Sequence, residues 1–249
     1  MAGHSKWANI KHRKAGQDAK RAKEFNKLTK EIQVAAGIGQ PDPDFNPRLR
    51  AALASARKNG VPKDRIDTAV KKGSGVIEGE NYEEMRYEGY SAGGVAIIVE
   101  TLTDNKNRTA GNVRSIFTKA GGNLGENGSV NFMFEQAGMI EYKADIASPD
   151  EIFEEAALAG ADDVESDDET HTIICSPDNF AEVRDTLEKT FGEAESSKLG
   201  WRPKDPVELD FEKAEKVIKL IENLEDDDDV QEVYGSFTIP DEIAEMLNE

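Results

Sequence analysis

Charge is distributed so unevenly along this chain that one uniform globule is excluded. Residues 1–72 carry 17 Lys and Arg against 7 Asp and Glu, a balance of +10, whereas residues 73–249 carry 14 against 43, a balance of -29. Two such segments attract each other but differ in every partner they can take, which predicts a cationic unit carried on an anionic body. The total of -19 alone would argue against a polyanion partner, and the split reverses that argument for the first segment. A length of 249 residues permits two or three domains.

The segments read as folded. Placed at about 100° per residue, Ala15, Ala22, Phe25, Leu28, Ile32 and Ala36 share one side of a helix over residues 14–36. Gly37, Gly39, Pro41 and Pro43 break it, Asn46 reads as the N-cap of a second helix with Pro47 in its first turn, and Gly60 stops that helix. A third helix starts at Pro62, buries Ile66, Ala69 and Val70, and ends at Gly73 after Lys71 and Lys72, cations suited to the negative end of a helix dipole.

Residues 73–80 form a glycine-rich linker, and strands begin beyond it. Residues 82–90 and 95–102 read as strands around a turn at Gly93 and Gly94, followed by a helix from an Asp104 N-cap to Ala120 and a strand over 129–135. The next stretch reads strand (139–143), helix (149–159), strands (163–166 and 170–175), helix (177–191), strand: the βαββαβ order of a ferredoxin-like unit. A helix over 211–224 and a strand over 230–237 close the chain and can complete the sheet begun at Tyr82. The expected fold class is α+β multidomain: an N-terminal helical domain followed by two α/β domains, at least one of them ferredoxin-like. The expected domains are 1–75 (basic, helical), 76–136 plus 204–249 (discontinuous α/β) and 137–203 (inserted ferredoxin-like).

The segments GHSKWANIKHRK, NPRLRAALASARKNGVPKDRIDTAVKKGSG, YEGYSAGGVAIIVETLTDNKNRT, VRSIFTKAGGNLGENGSV and LGWRPK, in this order and spacing, resemble the YebC family over essentially the full length. The resemblance implies three domains and a role in gene expression rather than catalysis. Bacterial relatives are described as DNA-binding transcriptional regulators. A mitochondrial relative is a translational activator for a subunit of cytochrome c oxidase, and members are implicated at the ribosome during synthesis of proline-rich stretches. Ala92 departs from the pattern, standing where the family commonly has Pro before the paired glycines.

The basic segment offers two candidate nucleic-acid contacts. Lys6, Lys11, Arg13 and Lys14 surround Trp7 with no carboxylate between Met1 and Gln17, so cations can follow phosphates while the indole stacks on an unpaired base or anchors the helical core. On the helix that follows, Arg13, Lys20, Lys23, Lys27 and Lys30 fall within an arc of about 100° that can face a phosphate backbone. Lys20 with Glu24 and Lys27 with Glu31 also have the spacing of pairs that merely solvate a helix. A helix-turn-helix reading around Gly60 is disfavoured by Asp64 and Asp67, carboxylates where a recognition helix meets bases. Asn105, Arg108 and Asn112 share a face at the next helix start and form a secondary candidate contact for phosphate or a base edge, or a capped surface.

Other chemistries lack their parts. Cys175 and His171 share a strand face at about 13 Å, too far for thiol activation, and Cys175 reads as packed. Gly73, Gly75 and Gly79 match no phosphate-binding loop and read as a hinge. His4 and His12 lack ligand spacing, and the run 226–229 lacks the alternation of a calcium loop and reads as a solvated turn. Tyr142 is the sole aromatic on the central ferredoxin-like strands, which favours a protein-contact role there over base stacking. No cofactor, metal or membrane partner is expected. A single cysteine, an opening without an apolar signal core and the lack of any run of about 18 apolar residues fit the cytoplasm. The expected function is a non-enzymatic nucleic-acid-binding regulator of gene expression resembling the family's DNA-binding transcriptional regulators. The alternative is a ribosome-associated translation factor on ribosomal RNA, and the acidic α/β domains offer a surface for a protein partner.

Overall fold

A computed structural model describes residues 17–248, with the side chains of residues 17–20, 241 and 248 outside that description. The arm around Trp7, with Lys6, Lys11, Arg13, Lys14, His4 and His12, and the side chain of Lys20 therefore lie outside the described residues.

Three helices form the N-terminal module: α1 (Gln17–Ile38), α2 (Pro47–Lys58) and α3 (Lys63–Gly73). Their apolar faces meet in a core of their own, built on Ile32, Ala36, Leu49, Leu53, Ala56 and Ile66. Asn46 fixes the α1–α2 corner from both sides. Its Oδ1 accepts from the Leu49 amide at 3.0 Å, and its Nδ2 donates to the carbonyls of Ala35 (2.8 Å) and Gln40 (2.9 Å). At Gly73, α3 ends against α1 so closely that an added Cβ would lie 2.1 Å from the Gln33 carbonyl oxygen.

Beyond the linker come β1 (Glu83–Tyr90), β2 (Ala96–Thr103), α4 (Lys106–Lys119), β3 (Asn123–Leu124), β4 (Phe134–Lys143), α5 (Pro149–Ala159), β5 (Asp163–Ser166), β6 (Thr170–Cys175), α6 (Phe180–Phe191), β7 (Ser196–Pro203), β8 (Val207–Glu208), α7 (Phe211–Glu225), β9 (Val230–Gly235), β10 (Phe237–Thr238) and α8 (Asp241–Asn248). The first sheet has the order β3-β1-β2-β9 and the second β5-β6-β4-β7, the antiparallel order of a ferredoxin-like unit. One face of the first sheet packs on α4 and α7 through Phe117, Val113, Leu220 and Ile221. Its other face, through Ala96, Ile98 and Tyr234, shares a second cluster with Val130, Phe134 and Trp201 and so joins the two α/β units by apolar contact.

Four local expectations are corrected. Residues 129–133 are not a strand: the buried Glu88 carboxylate accepts from the Val130 amide at 2.8 Å and turns the chain into a short 3-10 helix, Asn131–Met133. The strand read at 139–143 starts instead at Phe134, because β7 pairs along it from Phe134↔Pro203 to Glu141↔Ser196. Gly138 sits within that strand because a Cβ there would come 2.5 Å from the Phe180 ring and 2.7 Å from the Cys175 sulfur. The helix read from Pro177 starts at Phe180, after a turn in which the Asn179 amide donates to the Ser176 carbonyl. The last strand breaks at Ser236, whose amide and hydroxyl bond the Ala96 carbonyl and amide, and Phe237–Thr238 leaves to pair in parallel with β8.

Asn46→Ala removes a helix cap and strands two carbonyls in the module. It should lower unfolding stability by about 1–3 kcal/mol in urea denaturation, while Asn46→Asp, which keeps the acceptor, should lose less.

Candidate nucleic-acid interface

Of the stripe read along the first helix, Lys23, Lys27 and Lys30 fall among the described side chains, and all three have partners in this chain. Lys23, Lys27 and Lys30, at i, i+4 and i+7 on α1, all point to the turn after α7. Lys23 Nζ donates to the Asp226 carboxylate at 2.6 Å and its carbonyl at 2.9 Å, and Lys27 Nζ to the Glu225 carbonyl at 2.7 Å. Lys30 Nζ donates to the Asp228 carbonyl at 2.8 Å and the Asp229 carboxylate at 2.9 Å. The turn receives them for a physical reason: α7 has no cation in its last turn, its final carbonyls are unpaired within the helix, and four aspartates follow. Lysines of α1 cap it from another part of the chain.

The 226–229 run is solvated at Asp226 and Asp228, as read, but not at its last residue. Asp229 is the buried member. Besides Lys30, its carboxylate accepts from Arg108 Nη2 (2.7 Å), Thr109 Oγ1 (2.8 Å) and Thr103 Oγ1 (3.3 Å). Burial pushes the Asp229 carboxyl up, but the bonds from Arg108, Lys30 and Thr109 outweigh it and hold it below the ordinary 3.8.

The secondary candidates converge on the same place. Asn105, not Asp104, caps α4, its Oδ1 accepting from the Arg108 amide at 3.1 Å. Asp104 instead takes the Arg108 guanidinium at 2.7 Å, and Asn112 donates to Asp227 at 2.9 Å. Arg108, Asn112 and Lys30 line a recess of about 530 Å³ on the seam between module and body, with Tyr82 and Asp227–Asp229 on its wall. Beside it opens a wider cleft of about 2390 Å³, with Arg21, Lys23 and Arg48 on its module wall and Glu100, Glu141 and Glu232 on its body wall.

Two further ion pairs cross the seam. Arg48 bridges Glu31 of its own module and Glu84 of β1, each at 2.6 Å, and Lys58 meets Glu195 at 2.9 Å. In each pair across the seam described here the cation belongs to the module and the acceptor to the body. Sequence reasoning missed Arg48, Lys58 and Asp229; the signal that could have found Asp229 is the acid-flanked end of α7, which has no cation in its last turn.

Elsewhere the packed readings describe what is seen. Cys175 is buried, its thiol pushed up by burial and facing the Gly138 carbonyl at 3.8 Å. The His171 ring sits between Ser166 Oγ (2.7 Å) and the carbonyls of Ala147 (3.1 Å) and Ala144 (3.2 Å). Tyr142 is buried, edge-on to Phe191 at 5.9 Å between centroids, so it is not displayed for base stacking.

Fold and seam define a cationic helical module held by ion pairs on an anionic pair of α/β units, with no described helix long and apolar enough to cross a membrane. Residues 5–76 match the TACO1/YebC protein N-terminal domain and residues 82–237 the TACO1/YebC second and third domain, so the chain belongs to the TACO1/YebC family, a regulatory one. A solved structure, that of the conserved hypothetical protein Aq1575 from Aquifex aeolicus, is similar at 48% identity, covering 93% of this chain and 96% of that one with a TM-score of 0.87.

Asp229→Ala removes the carboxylate that pairs both Lys30 and Arg108 and should cost about 3–5 kcal/mol, whereas Lys30→Ala leaves Asp229 with Arg108 and both threonines and should cost about 1 kcal/mol. Because the folded Asp229 value lies below 3.8, its contribution is full above that pH and fades as pH falls through the depressed value. Urea unfolding across pH 2–7 should show a gap between wild type and Asp229→Ala that closes only at the acid end.

Proposed function

We propose that the protein is a non-enzymatic regulator of gene expression that binds nucleic acid through its N-terminal helical module, with DNA as the partner and ribosomal RNA as the alternative. The segregation of charge carries this reading, since +10 on residues 1–72 is opposed by -29 on the remainder. The seam uses Lys23, Lys27 and Lys30; Lys6, Trp7, Lys11, Arg13, Lys14 and the side chain of Lys20 are the other proposed contacts and lie outside the described residues. Arg57, Lys63 and Lys71 add exposed cations to the module.

The RNA alternative has an observation of its own. Asp64 lies in the first turn of α3, and Asp64 and Asp67 are both exposed, which sets carboxylates where a recognition helix would read a major groove. Backbone and shape contacts are compatible with that surface. The burial of Cys175 and the enclosure of His171 support a non-catalytic role. The acidic α/β units would take a protein partner and, by repelling phosphate, keep polyanions to one end of the molecule.

Reversing Lys6, Lys11, Arg13 and Lys14 to Glu should weaken binding of mixed-sequence duplex DNA and of ribosomal RNA fragments by at least about ten-fold in fluorescence anisotropy, and wild-type affinity should fall steeply as salt rises. Unchanged affinity in the reversed variant would sink the reading. In-cell crosslinking with sequencing then separates the polymers: promoter DNA without ribosomal RNA supports the transcriptional form, and the converse supports the ribosomal one.

A further inference from the structure

We propose that the turn after α7 masks the nucleic-acid face of α1, so that closure of the module on the body and full engagement of a polyanion exclude one another. This rests on the nucleic-acid reading of the module and adds its regulation. The acceptors of the turn are the groups a phosphate backbone would replace: two carboxylates and three carbonyl oxygens, meeting lysines spread over about 10 Å of one helix face. While they are in place, Lys23, Lys27 and Lys30 are occupied, and the anionic body stands where the polymer would run.

Release of the turn is physically open. The module keeps its own apolar core, with no member contributed by the body. What crosses the seam is chiefly long side chains in ion pairs, the class of contact weakened by competing ions. The most enclosed pair, Lys30 with Asp229, has side chains 14% and 4% exposed, yet Asp229 retains Arg108, Thr103 and Thr109 when Lys30 leaves. No unpaired buried charge remains on the body, so the large penalty for breaking a buried pair does not apply. Lys30 in turn exchanges one anion for another. The linker between Gly73 and Glu83 contains no helix or strand, which suits it to act as the pivot.

The two halves of the mask can be locked in the full-length chain. In a Cys175→Ser background, Lys23→Cys with Asp226→Cys places a cysteine pair across the seam for a short bismaleimide. A second lock, Lys58→Cys with Glu195→Cys, closes the seam at a distance from the stripe and leaves Lys23, Lys27 and Lys30 intact. Each is compared with the same protein uncrosslinked, using a labelled mixed-sequence RNA and the duplex DNA of the same sequence. Both locked forms should bind at least about ten-fold more weakly than their open counterparts, and Asp226→Asn with Asp228→Asn should bind more tightly than wild type. Equal affinity of locked and open forms would overturn the mask and leave the binding function standing. Absence of binding by wild type and every variant would instead remove the nucleic-acid reading on which the mask rests.

Discussion

Asp229 is the point at which separate parts of the chain are made to agree. Its carboxylate draws in Thr103 from the end of β2, Arg108 and Thr109 from the first turn of α4, and Lys30 from α1. Its own carbonyl accepts from the Leu102 amide at 2.8 Å, so the residue also begins the seating of β9 beside β2. Burying a carboxylate is unfavourable unless it is paired and fully hydrogen-bonded, and here the donors come from four positions that are distant in sequence. The placement of the helical module thus depends on a site that the first sheet has already assembled.

The two kinds of joint in the molecule differ in physical character. The α/β units meet through apolar surface around Trp201, whose indole donates to Glu100 at 2.8 Å and is stacked by Arg86 at 4.3 Å. An ion pair, Lys198 with Glu232 at 2.8 Å, also crosses this joint, but its apolar part is expensive to open because opening returns hydrocarbon to water. The module joins the body through cations on one side and carboxylates or carbonyls on the other, where water and ions compete for every bond.

Most elements were legible in the sequence because their signals are local. Asn46 with Pro47 marks the start of α2, the helix read from residue 149 starts there as α5, and the strand read over 170–175 is β6. The misreadings share a different cause. Glu88 turns the chain at Val130 from 42 residues away, and β7 extends β4 back to Phe134 by pairing that no local pattern announces. The cationic stripe was legible as a stripe, since helical spacing is local, but its occupancy was not: Lys30 meets Asp229 at a separation of 199 residues. A run of four aspartates looks solvated until the helix end before it is seen to lack a cation of its own.

That missing cation ties the charge asymmetry to the fold. Had α7 carried a lysine in its last turn, its carbonyls would be capped locally and the turn would hold α1 less firmly. By leaving the helix end without a cation of its own, the sequence lets lysines of the module share in neutralising the turn, as Arg48 and Lys58 do for Glu84 and Glu195. The same lysines are the ones helical geometry presents to a polyanion. On the proposed reading, one stripe on α1 would serve two claims that could not be met together, with the balance between them set by how well each anion desolvates and pairs three lysines. In that competition the body's carboxylates would hold the advantage of being tethered, at an effective concentration fixed by the linker, whereas a nucleic acid would have to supply a continuous row of phosphates to displace them.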